Sequence, residues 1–222
     1  LTLVESEDFA PLFLGLGVDS FWSEHGQFTA EVPASRWDAS SSAVELPPAM
    51  ASRARHGAFV DAAQLFDHSS FSVSRAEAAG SDPQQRLVLE CGYAALHAIG
   101  SNRSVLLGSG TGVAVGVYAT EFAQVLAASP AGSSVYAATG ASLSIASGRL
   151  SYALGLHGPC VTHDTACSSA LVACHAGLRA LQLDECADGL VAGTTLYLSP
   201  ALGVSFALAG MTSVRGRSHT FD

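Results

Sequence analysis

The sequence predicts an α/β layered fold, and three observations predict it. Helical periodicities alternate with short, apolar, β-branched runs from Ala76 onwards. Only 13% of the residues are charged, against about 25% in an ordinary soluble domain. Between Glu121 and Asp164 the only charged side chain is Arg149, and between Asp188 and Arg215 there is none, so these stretches call for burial against protein.

With 222 residues the chain holds one sizeable core rather than two, and reads as a single domain or a piece of one. Residues 1 to about 55 are rich in turn formers, with Val32-Pro-Ala-Ser-Arg-Trp-Asp38 and Pro47-Pro48 breaking any long element, and read as a mostly irregular connecting region. Residues 56 to 222 read as the α/β core. Within it, Ala76 to Ile99 predicts a helix interrupted early by Asp82-Pro83, where Asp82 caps and Pro83 takes the first helical position. Ser104 to Val117 predicts a buried strand, and Gly140 to Leu154 a closely packed helix stopped by Gly158-Pro159. Cys160 to Thr165 predicts a strand, Cys167 to Leu183 an amphipathic helix with Leu171, Cys174, Leu178 and Leu181 on its buried face, and Leu190 to Leu198 another strand.

The composition excludes several functions. A net charge of -9 with only 10 Lys and Arg leaves no basic stripe for phosphates, so no nucleic-acid role is expected. Gly189 to Val214 is long and uncharged enough to cross a bilayer, but Thr194, Thr195, Ser199, Pro200, Gly203, Ser205 and Gly210 interrupt it and no basic cluster flanks it. No membrane span is expected there. Five cysteines without paired spacing, and an acidic N-terminus with no signal or transit character, point to reduced thiols inside a cell, in cytoplasm or plastid. Gly108-Ser-Gly-Thr-Gly112 has the wrong spacing for a dinucleotide loop and reads as core-strand glycine. His175 beside Cys174 lacks paired ligand spacing, so no metal is expected.

The chemistry concentrates in Gly158-Pro-Cys-Val-Thr-His-Asp-Thr-Ala-Cys-Ser-Ser-Ala-Leu171, where a strand runs into a helix through a tight turn. Cys167 falls at the helix start. There, unpaired N–H groups and the positive end of the helix dipole favour a thiolate, as at a nucleophile elbow. His163, four residues earlier, offers an alternative: a Cys/His hydrolase dyad. Asp82, Arg86 and Arg149 read as structural, through helix capping and buried pairing, and His25, His56, His68, His97, His157 and His219 as surface or packing residues.

Asp164-Thr-Ala-Cys-Ser-Ser-Ala-Leu171 resembles the active-site signature of β-ketoacyl synthases, the polyketide-synthase branch most. Further segments are similar to the same family in the same order: Glu31-Val-Pro-Ala-Ser-Arg-Trp-Asp38, Asp82-Pro-Gln-Gln-Arg-Leu87, Thr111-Gly-Val-Ala-Val-Gly116, Gly148-Arg-Leu-Ser-Tyr152, and Ala192-Gly193 followed by Leu198-Ser-Pro200. The resemblance implies a thiolase-like fold of alternating helix and mixed-sheet layers, of which this is the N-terminal half. It implies that Cys167 takes an acyl chain from the phosphopantetheine of an acyl carrier protein, in polyketide or fatty-acid synthesis, for decarboxylative condensation with a malonyl unit. It also implies a homodimer, no directly bound cofactor, and two histidines and a lysine in motifs of a C-terminal half. The sequence reads as beginning without the family's usual opening strand and its turn, for which Phe9 to Leu16 is a poor substitute, and the family usually has an aliphatic residue where His163 stands. A non-catalytic interaction subunit of the same fold is the alternative function.

Overall fold

The computed structural model describes residues 2–5, 11–13, 29–39, 46–60, 62–118 and 121–216, the first two segments by their backbone. In chain order the elements are β1 (Thr2–Glu5), β2 (Pro11–Phe13), β3 (Ala30–Glu31), α1 (Pro48–Arg53), β4 (His56–Gly57), α2 (Arg75–Gly80), α3 (Pro83–Ala98), α4 (Arg103–Leu106), β5 (Gly112–Tyr118), α5 (Phe122–Ala127), α6 (Ala137–Gly140), α7 (Ile145–Leu154), β6 (Cys160–His163), α8 (Ser169–Gln182), β7 (Asp188–Thr195) and α9 (Pro200–Leu208). They fall into two compact units. Leu1–Leu16 with Ala63–Leu196 form the larger, and Gly17–Ala62 with Tyr197–Asp222 the smaller.

The larger unit is built on one mixed sheet of order β2-β1-β7-β5-β6. β7, β5 and β6 are parallel, whereas β1 is antiparallel to both β7 and β2. Alternation along β5 and β7 sends their side chains to two layers. Val113, Val115, Val117, Leu190 and Ala192 join Val88, Leu89, Leu96, Leu150 and Leu154 of α3 and α7 in the main core. Ala114 and Val191 face the other way, onto Ala173 of α8. Helix, sheet and helix thus form three layers, the α/β arrangement expected.

Local chemistry explains the helix starts. The Asp82 carboxylate accepts from the Gln84 N–H at 2.8 Å, with Pro83 in the first helical position of α3. Asn102 caps α4 by accepting from the Ser104 and Val105 N–H groups at 3.0 and 3.2 Å. That cap overrides the strand expected from Ser104, and the extended backbone begins only at Gly112. The expected strand Leu190 to Leu198 is β7, which ends at Thr195. The uncharged run from Gly189 is therefore divided between β7 and α9, whose start Ser199 caps at Ala201 N–H (3.3 Å) ahead of Pro200. Among the described residues no helix is long and apolar enough to cross a membrane. The region read as mostly irregular contributes β1 and β2, and β1 pairs along β7 from Thr2↔Val191 to Glu5↔Asp188. This corrects the expectation that the sequence begins without an opening strand: β1 stands ahead of Phe9 to Leu16.

In the smaller unit β3 pairs with β4, Trp37 meets the Phe59 ring edge-on at 6.3 Å, and Arg36 donates to the Val60 carbonyl at 2.5 Å. Arg53 of α1 donates to the Thr212 carbonyl at 2.7 Å, tying the two chain segments of this unit together.

Candidate functional site

β5, β6 and β7 are parallel, so their C-terminal ends lie at one edge of the sheet, the edge at which α/β folds place their reactive groups. Cys167 stands there, four residues beyond the end of β6 and two before α8, in the turn rather than within the helix expected from Cys167 to Leu183. Its side chain is exposed and its thiol free.

The turn is held by its own side chains. Asp164 accepts from the Ala166 N–H at 3.1 Å, and Ala166 adopts a left-handed backbone at φ 55°. The Thr165 N–H donates to Ser169 Oγ at 2.8 Å, and that hydroxyl donates to the Ala166 carbonyl at 2.7 Å. Ser168 Oγ lies 2.8 Å from both the carbonyl and the hydroxyl of Thr165. Short polar side chains that satisfy local backbone groups compete with regular structure, which is why strand and helix meet here without a longer loop. Non-glycine residues seldom occupy the left-handed region, and such strain collects where a side chain must be presented.

Glycines seat the helix behind this turn. A Cβ on Gly116 of β5 would lie 2.4 Å from the Ser169 carbonyl carbon, one on Gly193 of β7 2.6 Å from Ala170 Cβ, and one on Gly177 of α8 2.7 Å from Val191 Cγ2. The helix therefore lies down on bare backbone. Its buried stripe is Ser169, Ala173, Gly177 and Leu181, spaced by four. This corrects the expected apolar face: Leu171 is 73% exposed, and Cys174 and Leu178 are half-buried. The small residues win because only they permit such close approach. The signal was available, since Gly116 and Gly193 stand inside strand runs, where a glycine marks a close approach of another backbone.

His163 ends β6 opposite Gly116. Neighbours in parallel register project to the same face, and the Gly116 position faces Ser169, so the imidazole lies on the α8 side. Thr162 points the other way, its hydroxyl 2.8 Å from Ser147 Oγ and 3.2 Å from Ser147 N on α7. Nε2 of His163 is buried and has no hydrogen-bond partner. No hydrogen bond joins it to the Cys167 thiol, so the dyad arrangement is not formed.

The other thiols differ in setting. Burial pushes the Cys91 and Cys186 thiols up from their ordinary range, Glu90 adding to the effect at Cys91. Cys160 is exposed on β6. A cavity of about 20 Å³ under α8, lined by Pro159, Val161, Ala176, Ala180 and Cys186, has room for about one water and lies at the far end of the strands from Cys167.

Of the remaining histidines, His68 Nδ1 meets the Val73 carbonyl at 2.7 Å and His97 packs on Tyr93 with ring centroids 6.0 Å apart. His157 and His175 are exposed, His56 is half-buried, and His25 and His219 lie outside the described residues. Asp82 is buried, and desolvation raises its carboxyl above the ordinary range against the opposing Gln84 hydrogen bonds and Arg86. Arg149 is paired to Glu77 at 2.5 Å. Among the described residues no three His, Cys, Asp or Glu side chains are grouped to hold a metal.

Residues 12–222 match the family model of the β-ketoacyl synthase N-terminal domain. A mycocerosic acid synthase-like polyketide synthase of Mycolicibacterium smegmatis is 41% identical over 88% of this chain and 9% of its own length. A phenolphthiocerol/phthiocerol polyketide synthase polypeptide of Mycobacterium tuberculosis is 39% identical over 93% of this chain and 14% of its own. Among solved structures, a Cys-to-Ser mutant of the ketosynthase from module 6 of the Bacillus subtilis bacillaene synthase superposes with a TM-score of 0.76 at 32% identity, covering 89% of this chain and 33% of that one. The oxazolomycin ketosynthase domain from Streptomyces albus gives 0.73 at 30% identity, covering 86% and 34%. The chain thus spans a small part of the curated relatives it matches and about a third of the solved ketosynthases.

Proposed function

The chain belongs to the β-ketoacyl synthase family, whose N-terminal domain it matches, and on that premise we propose that it forms the nucleophile-bearing half of a polyketide-type condensing domain. Cys167 is the nucleophile. Its sulfur attacks the carbonyl carbon of an acyl thioester carried on the phosphopantetheine of an acyl carrier protein, and the carrier thiol leaves. A malonyl carrier then loses carbon dioxide. The carbon freed of its carboxylate attacks the acyl-Cys167 carbonyl, and the Cys167 thiolate departs. The Cys167 backbone N–H serves as part of the oxyanion hole in both tetrahedral intermediates.

The observation that carries this reading is the elbow itself: an exposed thiol, presented by a left-handed Ala166 and a polar lock, at the C-terminal edge of parallel strands. A subunit needing only the scaffold has no chemical reason to keep a thiol there. The relatives are named as polyketide synthases or ketosynthases, which favours the enzyme over the interaction subunit.

Decarboxylation needs groups that stabilise the enolate, and we assign these to a C-terminal half. A homodimer is supported by β6, an edge strand with Cys160 and Val161 exposed. Incubation with a hexanoyl thioester followed by peptide mass mapping tests the reading. The expected result is one acyl adduct on Cys167, absent in Cys167→Ala. An unmodified Cys167, or an adduct on another cysteine, refutes it.

A further inference from the structure

The two adjacent glutamines at the start of α3 reach different backbone segments. Gln84 Oε1 accepts from the Leu196 N–H at 3.0 Å, just beyond β7. Gln85 Nε2 donates to the Thr139 and Ser142 carbonyls at 3.1 and 2.9 Å, and Asp82 N–H donates to the Gly140 carbonyl between them at 2.9 Å. The remaining polar atom of Gln85, Oε1, accepts from Arg149 Nε of α7 at 2.9 Å, and Arg149 Nη1 pairs with Glu77 of α2. Gln85 is 3% exposed and the Arg149 side chain 9%. Gln85 and Arg149 are buried and hydrogen-bonded, while Glu77 at the end of the network is 28% exposed.

Such a network adds little net stability over apolar packing of equal volume, but it is directional. Apolar burial, to which Leu89 of α3 and Leu150 of α7 both contribute, is non-directional and does not in itself fix one register; directional polar contacts add that constraint. A planar guanidinium held at Nε by Gln85 and at Nη1 by Glu77 fixes the register of α7 by direction as well as by distance. Two residues before Arg149, Ser147 binds the Thr162 hydroxyl through both its N–H and its Oγ, and Thr162 stands two residues before Asp164, which caps the elbow. The register of α7 along α3 is thereby passed to the strand that delivers Cys167.

We infer that Arg149 and Gln85 are positioning residues for the Cys167 elbow, acting through Ser147 and Thr162, an inference that rests on Cys167 being the acylated nucleophile. The test uses the full chain with Arg149→Met, Arg149→Lys and Gln85→Leu. Two rates are followed at Cys167: alkylation by iodoacetamide and acylation by a hexanoyl thioester. Labelling of buried Cys186 reports unfolding within the same molecule.

Both Cys167 rates are expected to fall about tenfold in all three variants while Cys186 stays unlabelled, a loss within the range that a small misplacement of a reacting group can cause. Arg149→Lys is expected to follow Arg149→Met, because an ammonium paired to Glu77 cannot also supply the planar N–H to Gln85. Cys167 rates within twofold of wild type, with Cys186 silent, overturn the inference. So does labelling of Cys186 in every variant, which would make the relay a fold-holding element only. If wild-type Cys167 alkylates but takes no acyl group, the functional reading fails, and the alkylation rates alone still decide the positioning claim.

Discussion

Gly116 of β5 lies directly beneath Ser169 of α8, so close that a Cβ on the glycine would stand 2.4 Å from the serine's carbonyl carbon. The clash is with backbone, which cannot swing aside as a side chain can. Gly116→Ala is expected to lift the first turn of α8, cost about 2 kcal/mol or more, and slow Cys167 alkylation. A variant of wild-type stability and wild-type Cys167 reactivity would show that the helix is not seated there.

Ala166 carries the strain of the turn at φ 55°. Ala166→Gly relieves it and is expected to raise stability by about 1 kcal/mol, read as an upward shift of the denaturant midpoint. The same change loosens the elbow, so acylation of Cys167 should slow. Faster acylation together with higher stability would mean that the strain has no part in presenting the thiol.

The five cysteines are expected to label in a set order. At pH 8 and limiting iodoacetamide, Cys167 reacts first, because it alone combines exposure with a helix N-terminus. Cys91 and Cys186 react last, since burial holds their thiols above the ordinary range and leaves less thiolate. Peptide mapping after partial labelling checks the order, and prior labelling of Cys186 would contradict it.

Asp82 sets a pH dependence. Its folded carboxyl is raised by burial above the ordinary value of 3.8. Its contribution to stability is therefore full below that value and is lost as pH rises through the folded one. Asp82→Asn keeps the cap on Gln84 without a buried charge, so at pH 7 it is expected to match or exceed wild-type stability, by about 1 kcal/mol at most. Asp82→Ala, which removes the cap, should fall below wild type by a similar amount. Thermal melts at pH 4 and pH 7 distinguish these outcomes.

Much of this was legible in the residues. The order of strand and helix around Cys167 follows from Cys160 to Leu183 alone, because β-branched residues and a helical period adjoin across a run of small polar side chains. Asp82-Pro83 announces the start of α3 through the cap it makes. The buried face of α8 was not legible by hydrophobicity. Leu171 outranks Ala173 and Gly177 on any apolar scale, yet closeness of approach, not apolar area, decides which face meets the sheet. The helix at Arg103 was hidden by the apolar run after it, although Asn102 carried the signal. No local pattern could announce the pairing of Gln85 with Arg149, since it joins residues far apart in the chain.

The pairing of β1 with β7 has a consequence for how the chain comes into being. Once synthesised, Thr2–Glu5 must wait for its partner Asp188–Val191, which lies far along the chain. β5 waits too, since both its neighbours, β6 and β7, follow it. Contacts so distant in sequence are slow to form, and unpaired strand edges invite association with other chains in the meantime. A growing polypeptide of this sequence can pair β1 with β2 and β5 with β6 as they emerge, but the edges of β1 and β5 that take β7 stay bare until β7 has left the ribosome, so the two halves of the sheet are joined late. Aggregation during synthesis, rather than instability of the finished fold, is the hazard its topology builds in.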